Sequence, residues 1–591
     1  MRFPVRCLVW VAILGPPSFL LVAIQHGALT HPFSDYCKLI PLVEKLQDGS
    51  LAIADLFAPL NQNRPATWRA LVLANAWLTG WDIRSEYFYL VAALVGAFLV
   101  QVRLLARSCA GCSRERMLAL VAVLSIVSFS PAAHNDHWWS MLLQFDMGHL
   151  FMVIAFALVS GHGGRWRDQV LAAAACWLAT YTVTNGLVAF VACAMVAQLF
   201  SPEPRRFTAL ALFWIANVAL AVTLYVPGLP DLDRGLPSLG QWLVFTAAYI
   251  GSPAASIVWF PFQSQFDLPD RGVVTATNAV VGAVLMALLV ARAFDVVRSR
   301  DRSTAARAFS AFALFAVGSA MLTGLGRADL GESGVANANA SRFVLFGSSA
   351  LYAALYAAAM APSRPRLRLP WNPRIATAIA GLILIACATL SYARSWKVYA
   401  EARRFDRILA VAYAADTHES AFDAVIYPEP ELVPGFKATL KRLRVGPYRD
   451  VQESDALERL ARTKLVDQFA VNGLRAGTDG LILFAHPHSR FAMHTTGAAA
   501  IHFRYGVLPN AAMVSPPTDG VEFRVLTTDL ETERLLWSTV WRPKFQAPHD
   551  QQLTVALPRN FSGTLIFETL AAGTTENDWA YWADLVITGD H

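Results

Sequence analysis

Long apolar runs separated by short arginine-containing segments fill the first two thirds of the chain. Runs of about 17 to 25 apolar residues are long enough to cross a bilayer as α-helices. Such runs occur at about 8–26, 86–105, 117–134, 144–160, 169–184, 186–201, 207–226, 273–294, 308–325, 343–361 and 375–393. The pattern therefore predicts a polytopic α-helical membrane bundle of about eleven spans.

The arginines between these runs predict the orientation of the chain. Arg2 and Arg6 precede the first run, and further arginines cluster in alternate loops. The positive-inside rule places the N-terminus and these loops in the cytoplasm. All the arginine-containing loops lie on the same side only if the apolar stretch 242–260 does not cross the membrane fully. Breaks at residues 251–253 (Gly-Ser-Pro) and at Pro261 predict a re-entrant segment there, which leaves the C-terminal third outside the cytoplasm.

The C-terminal third has a different pattern. After about residue 394 the chain is charged and helical to about residue 470, and short alternating strands separated by turn-rich breaks follow. This pattern predicts an antiparallel β-sandwich on the periplasmic side. We therefore predict a transmembrane domain over 1–394, a helical linker over 395–470 and a β-sandwich over 471–591.

Composition supports membrane insertion. The 591 residues are 55% hydrophobic and only 16% charged, which is too much apolar surface for a soluble core. The net charge of +6 comes from arginines in short loops, so it indicates topology and not a nucleic-acid partner. The seven cysteines are scattered. Cys109 and Cys112 form a CxxC without a second one, which is weak evidence for a metal or redox site.

Asp35 is the first candidate for chemistry. It follows the first span, and the amphipathic segment 39–46 after it can lie along the membrane surface. A carboxylate held there could take a proton from an acceptor hydroxyl. The alternative is a solvated surface residue. Asp136 and His137 in the second outer loop are supplementary catalytic candidates, although they and Trp138 could equally form an aromatic belt with polar flanks.

Two arginines run against the positive-inside bias. Arg327 and Arg342 flank a predicted outer loop. A guanidinium group binds phosphate through two parallel hydrogen bonds and keeps its charge. These arginines therefore suggest a phosphate contact, with a helix-end arginine that reaches for the interface as the alternative.

This layout resembles the membrane glycosyltransferases of the GT-C superfamily, which use polyprenyl-phosphate sugars. The shared layout is a cytoplasmic N-terminus, an acid at the start of a long first outer loop, a many-helix bundle and a C-terminal domain outside. More closely, the chain looks like a group of bacterial multipass proteins of this type. The matching segments are Ser34-Asp35-Tyr36, Asn61-Gln62-Asn63-Arg64, Ser130-Pro131 through Trp138-Trp139, Thr184-Asn185-Gly186 and Ser341-Arg342-Phe343.

The resemblance implies an enzyme of the bacterial inner membrane that moves a sugar from a polyprenyl-phosphate donor to a periplasmic glycan or lipid-linked acceptor, with inversion. It implies Asp35 as general base, and as substrate-binding residues Arg342, Arg327, Tyr36, Asn61, Arg64 and Trp138. The first loop departs from the family, since amides stand at Gln62 and Asn63 where further acids or a histidine are common. We therefore predict no cofactor and no metal, with a divalent ion as the less favoured alternative.

The aromatic residues near the C-terminus have two interpretations. Trp579, Tyr581 and Trp582 look like the sugar-stacking rings of jelly-roll carbohydrate-binding modules. Alternating aromatics in a strand also fill sandwich interiors, which is the competing interpretation. For the whole chain, the rival functions are a lipid-linked glycan transporter or flippase and a non-catalytic glycan-binding scaffold. The few ionisable residues in the spans weaken the transporter hypothesis.

Overall fold

The chain forms two compact units. The computed structural model describes residues 3–109, 111–161, 165–201, 204–229, 236–259, 271–329, 331–360, 373–414, 423, 426–449, 464–465, 473–477, 480–507, 519–529, 532–542, 550–573 and 578–589. The first unit comprises Met1–Ala28, Asp48–Thr79 and Ile83–Glu401, and the second comprises Leu29–Gln47, Gly80–Asp82 and Ala402–His591. The start of the first predicted outer loop thus belongs to the same unit as the C-terminal third.

Helices make up nearly all of the first unit. In chain order the helices of the protein are α1 (Phe3–Gly27), α2 (Ile40–Gln47), α3 (Ile53–Phe57), α4 (Ala66–Thr79), α5 (Ile83–Ser108), α6 (Arg114–Ser128), α7 (His134–Trp138), α8 (Leu143–Ser160), α9 (Trp166–Thr180), α10 (Gly186–Leu199), α11 (Pro204–Tyr225), α12 (Leu239–Trp259), α13 (Arg271–Ser299), α14 (Thr304–Arg327), α15 (Val344–Gly347), α16 (Ser349–Met360), α17 (Pro373–Ala414) and α18 (Val433–Leu443). Serine caps start two of them: the hydroxyl of Ser113 accepts from the backbone N–H of Arg116, and that of Ser303 from Ala306.

Several helices are long and apolar enough to cross a membrane. Among the described residues there are eight such segments: Cys7–Gly27, Ile83–Ser108, Arg114–Ala133, Ser140–Ser160, Arg206–Tyr225, Gly272–Ser299, Thr304–Arg327 and Ser341–Met360. Helices α9 and α10, at two further predicted spans, have only 15 and 14 residues. The membrane character is supported by these helices, while the total of about eleven spans stays a prediction.

Helix α12 corrects one expectation from the sequence. It runs through residues 251–253 without interruption, so the break predicted there is wrong. Pro261, the other predicted break, lies outside the described residues. The re-entrant path and the topology that depends on it therefore stay predictions. Gly251 serves helix packing instead: a Cβ at this position would lie 1.9 Å from the carbonyl oxygen of Asn278. A Cβ on Gly282 of α13 would lie 1.8 Å from the carbonyl oxygen of Ala247. The two glycines therefore let the backbones of α12 and α13 touch, as small residues do at close helix crossings in membranes.

The second unit contains an antiparallel sheet of eight strands. They are β1 (Lys464–Leu465), β2 (Gly473–Gly477), β3 (Gly480–Phe484), β4 (Ser489–Val507), β5 (Val521–Asp529), β6 (Thr532–Trp541), β7 (Asp550–Ala571) and β8 (Ala580–Gly589). Their order is β2-β3-β8-β4-β7-β5-β6, and β1 pairs with β4. Strands β4 and β7 are 19 and 22 residues long, and their pairing shifts register between Thr495 and Ala500.

This irregularity divides the sheet into two halves that share one core. The first half of β4 pairs with residues 563–569, and its second half pairs with residues 550–556 and with β8. Rings from both halves meet, since Phe503 lies 6.1 Å from Phe567 and 5.3 Å from Trp582 between ring centroids. The predicted antiparallel strands are confirmed, but a single bent sheet takes the place of two separate sheets.

Candidate functional site

The candidate site of the first unit is built on residues 129–142, between α6 and α8. This stretch is irregular: two 3₁₀ turns, Pro131–Ala133 and Ser140–Leu142, flank the single turn of α7. Buried backbone outside a regular helix needs side-chain partners. Tyrosine hydroxyls supply two of them, from Tyr392 to the carbonyl of Phe129 at 3.2 Å and from Tyr87 to the carbonyl of Trp138 at 2.7 Å.

Asp136 on α7 is completely buried. Neither of its carboxylate oxygens has a hydrogen-bond partner among the described residues. Burial raises the pKa of Asp136 well above its usual value, and the positive charge of Arg342 partly opposes this effect. The neighbouring His137 is also buried, and its Nδ1 lies 3.2 Å from the hydroxyl of Tyr399. Burial of a carboxylate without hydrogen-bond donors costs free energy, so Asp136 is a candidate for a functional group and not for a stabilising one.

Two further ionisable residues lie buried one turn apart on α8. Asp146 and His149 are about as inaccessible as Asp136. Both carboxylate oxygens of Asp146 and the Nδ1 of His149 lack partners within the described part of the chain. The negative charges of Asp136 and Asp146 are close enough to repel each other. Sequence reasoning missed this pair, although an acid and a histidine three residues apart inside an apolar run is the signal that marks functional groups in a span.

Arg342 lies in the 3₁₀ turn Ser341–Phe343, which packs against α7. Its guanidinium carbon is 5.2 Å from the ring centroid of Phe343, and the hydroxyl of Ser341 is buried without a partner among the described residues. The structure thus brings together three of the predicted site residues, Asp136, His137 and Arg342. Arg327 is half-buried at the end of α14.

The other first-loop candidates form a turn that is fixed by hydrogen bonds. Asn61 adopts a left-handed conformation with φ 53°, which asparagine tolerates better than most residues. Arg64 donates to the carbonyls of Phe57 and Tyr225, both at 2.7 Å, and to that of Pro227. The guanidinium of Arg64 is therefore already engaged with backbone oxygens, which favours a structural role over the predicted substrate contact.

Two of the sequence motifs meet at this turn. The Oδ1 of Asn63 accepts from the backbone N–H of Thr184 at 3.0 Å and from its hydroxyl at 2.7 Å. Asn185 donates from Nδ2 to the hydroxyl of Thr323 at 3.4 Å. The Asn-rich segment and the Thr-Asn-Gly segment therefore support each other structurally within the first unit.

Asp35 and Tyr36 belong to the second unit. They lie in the 3₁₀ helix Ser34–Leu39, where an Oδ1 of Asp35 is 2.6 Å from the Nζ of Lys38. The side chain of Asp35 is 32% exposed, so it remains accessible to a substrate. Tyr36 is buried, and its hydroxyl lies 3.4 Å from Nε1 of Trp81. Asp35 and Asp136 are thus carboxylates of different units and of different environments.

The C-terminal aromatics pack mainly into the sheet core. Trp582 is completely buried, and its Nε1 donates to the hydroxyl of Thr569 at 3.0 Å. Tyr581 is only 7% exposed, and Trp579 packs against the same core. A ring without an accessible face cannot stack on a sugar, so Trp582 fits the core-packing interpretation.

Among the described residues, no group of three or more His, Cys, Asp or Glu side chains is arranged to hold a metal ion. Asp136, Asp146 and His149 therefore share a buried region without forming a ligand set. What they offer is proton chemistry next to a guanidinium group.

Comparisons with known proteins give little guidance. No family model matches the sequence, and no curated protein matches it. The chain is similar to a solved structure of the arabinofuranosyltransferase AftD from mycobacteria, with 10% sequence identity and a TM-score of 0.30. The alignment covers 98% of this chain and 61% of AftD, so the chain spans less than two thirds of that protein. Similarity at this level is too low to carry an argument about fold or activity.

Proposed function

We propose that this chain is a membrane glycosyltransferase that moves a sugar from a polyprenyl-phosphate donor to a periplasmic glycan or a lipid-linked acceptor. One observation carries the proposal: the carboxylate of Asp136, which has no hydrogen-bond partner among the described residues, is buried within the electrostatic reach of Arg342. This reaction needs a proton acceptor and a cation for the phosphate that departs, and these two residues supply both groups.

The reaction balances with these groups. The oxygen of the acceptor hydroxyl attacks the anomeric carbon, and its proton passes to a carboxylate. The bond between the anomeric carbon and the phosphate oxygen breaks, and polyprenyl phosphate leaves with the electron pair. A single displacement of this kind inverts the anomeric configuration. Arg342 would offset the charge that develops on the departing phosphate.

Asp136 and Asp35 are the two candidates for the proton acceptor. The pKa of Asp136 is raised by burial, and a carboxylate with a raised pKa is the stronger base once it is ionised. Asp35 has the advantage of exposure, and Lys38 holds it in an ion pair. The geometry favours Asp136, while Asp35 stays the candidate that the resemblance implies.

The test is a transfer assay on the full chain in liposomes with a panel of radiolabelled polyprenyl-phosphate sugars. Wild-type protein should release polyprenyl phosphate from at least one donor. Asp136→Asn keeps the size of the side chain, and we expect it to lower release by at least about 100-fold. Asp35→Asn is assayed beside it, and Asp295→Asn, an exposed acid on α13, controls for the loss of one charge.

The outcomes separate the candidates. A large loss in Asp35→Asn with normal activity in Asp136→Asn would move the base to Asp35. Wild-type protein that releases nothing from any donor would contradict the proposed function. The transporter alternative has one observation in its favour, the buried Asp146 and His149 within the candidate span Ser140–Ser160. Movement of an intact lipid-linked sugar across the bilayer without release of polyprenyl phosphate would establish that alternative.

A further inference from the structure

A second candidate site lies in the first unit away from Asp136. A groove of about 440 Å³ runs between α13, α14 and the end of α10. Its lining is apolar along the helices: Leu289 and Phe309 are buried in it, while Val290 and Val297 are exposed beside it. Three residues of the α13–α14 loop, Arg300 to Arg302, line one end. The groove therefore combines a hydrocarbon-like wall with a charged end.

The charged end carries an excess of positive charge. Arg302 is close enough to Arg307 for the two positive charges to repel each other. No described residue forms an ion pair with Arg300, Arg302 or Arg307, and the buried Nε of Arg307 has no hydrogen-bond partner in the described part of the chain. Asp301 already accepts a hydrogen bond from the backbone N–H of Ser303 at 2.9 Å. An external anion would relieve this repulsion.

Arg300 closes α13 in a left-handed conformation with φ 52°. The backbone N–H groups of Arg300 and Asp301 donate to the carbonyls of Val297 and Val296, both at 3.2 Å. These bonds cap the helix and fix the start of the loop that carries the charged residues of the groove.

We propose that this groove binds an anionic glycerophospholipid, with an acyl chain along Leu289 and Val290 and the phosphate on Arg300 and Arg302, the two arginines that line its charged end. The volume is in the range of small-molecule sites. Basic pockets between membrane helices on the cytoplasmic side are typical binding sites for anionic lipid headgroups. Arg298, Arg300, Arg302 and Arg307 give this end of the groove the same basic character. The proposal is independent of the glycosyltransferase reaction.

The experiment is native mass spectrometry of the full chain, purified in detergent and titrated with phosphatidylglycerol or phosphatidylcholine. Wild-type protein should retain one phosphatidylglycerol in preference to phosphatidylcholine. The double substitution Arg300→Gln with Arg302→Gln should weaken this binding by about 30-fold, since each arginine near an anionic headgroup contributes roughly fivefold. Arg292→Gln, at a half-buried arginine of α13 that pairs with Asp295 and does not line the groove, should bind as wild type does.

A second variant protects the test against misfolding. Ala293→Trp fills the groove and keeps all its charges, so it should also lose the bound lipid. Equal retention of both lipids by wild-type protein, or unchanged phosphatidylglycerol binding in both groove variants, would overturn the proposal. Tighter binding of a polyprenyl phosphate than of phosphatidylglycerol at this groove would overturn the choice of occupant.

Discussion

Replacing Asp406 with alanine should open the segment that carries Asp35. Asp406 lies on α17 and accepts three hydrogen bonds from residues 30 and 31. Its Oδ1 accepts from the backbone N–H of Thr30 at 2.7 Å and lies 2.9 Å from Nδ1 of His31. Its Oδ2 accepts from the hydroxyl of Thr30 at 2.7 Å. These bonds tie the chain just before the 3₁₀ helix Ser34–Leu39 to α17, within the second unit.

The magnitude follows from what each variant leaves unsatisfied. Asp406→Ala removes the acceptor for all three donors, and at about 1 kcal/mol each the local opening free energy should fall by about 3 kcal/mol. Asp406→Asn keeps an oxygen at Oδ1 and loses mainly the charge, so we expect a loss of about 1 kcal/mol. These values correspond to about 150-fold and about fivefold more opening.

Hydrogen exchange measures this opening directly. The amides of residues 33–47 in the full chain should lose protection by these factors at neutral pH. Asp295→Ala on α13, an exposed acid, should leave them unchanged. Protection that stays within twofold of wild type in Asp406→Ala would refute the reasoning, because it would mean that the three hydrogen bonds do not hold the segment.

The same contact predicts a pH dependence. Burial acts to raise the pKa of Asp406, but the hydrogen bond and charge of His31 and the two bonds from Thr30 outweigh it, so the pKa lies below its usual value. A lowered pKa in the folded protein means that the stabilisation is complete above the unfolded value of about 3.9 and is lost as the pH falls through the folded value. Asp406→Asn should remove this acid-dependent loss of protection.

Three further predictions concern other parts of the chain. Gly251→Leu should force α12 and α13 apart and lower the yield of folded protein, measured by size-exclusion chromatography. Gly240 has open space around it, so Gly240→Leu should not lower the yield. Equal yields of the two variants would contradict the close helix crossing. Arg342→Lys should bind a polyprenyl-phosphate analogue with reduced affinity, because lysine keeps the charge but loses the two-pronged contact, and Arg342→Ala should hardly bind it. Equal affinity of wild type and both variants would contradict a contact between Arg342 and the phosphate. A reporter active only in the cytoplasm, fused after His591, should be silent, and activity there would reverse the predicted topology.

Most of the secondary structure could be predicted from the local periodicity of hydrophobic residues. The predicted runs 86–105 and 273–294 lie inside α5 and α13, and the region predicted to form short strands after residue 470 contains β2 to β8. Such elements follow from hydrophobic patterning over a few turns or residues. The interruption predicted at Gly251 is wrong because the role of this glycine depends on its contact with α13 near Gly282, which is distant in sequence. A glycine that permits close packing and a glycine that breaks a helix look alike in the sequence.

The candidate site could also be predicted from the sequence only in part. Asp136, His137 and Arg342 were recognisable as polar residues beside spans, yet only the fold brings them to one place. Asp146 and His149 stand out as an acid and a histidine within an apolar run, but only the fold shows that they are buried and that Asp146 lies near Asp136. The assignment of Leu29–Gln47 to the second unit was equally beyond sequence reasoning, since it depends on long-range contacts such as that of Thr30 with Asp406.

The arrangement of charges around Asp136 constrains its chemistry. Two buried carboxylates, Asp136 and Asp146, repel each other, and Arg342 is the cation whose charge acts on Asp136 among the described residues. The charge of Arg342 thus compensates part of the cost of burying a negative charge on Asp136. A donor phosphate that binds to Arg342 would withdraw this compensation and favour proton uptake at Asp136. Substrate binding and the basicity of Asp136 would then be coupled through a single arginine.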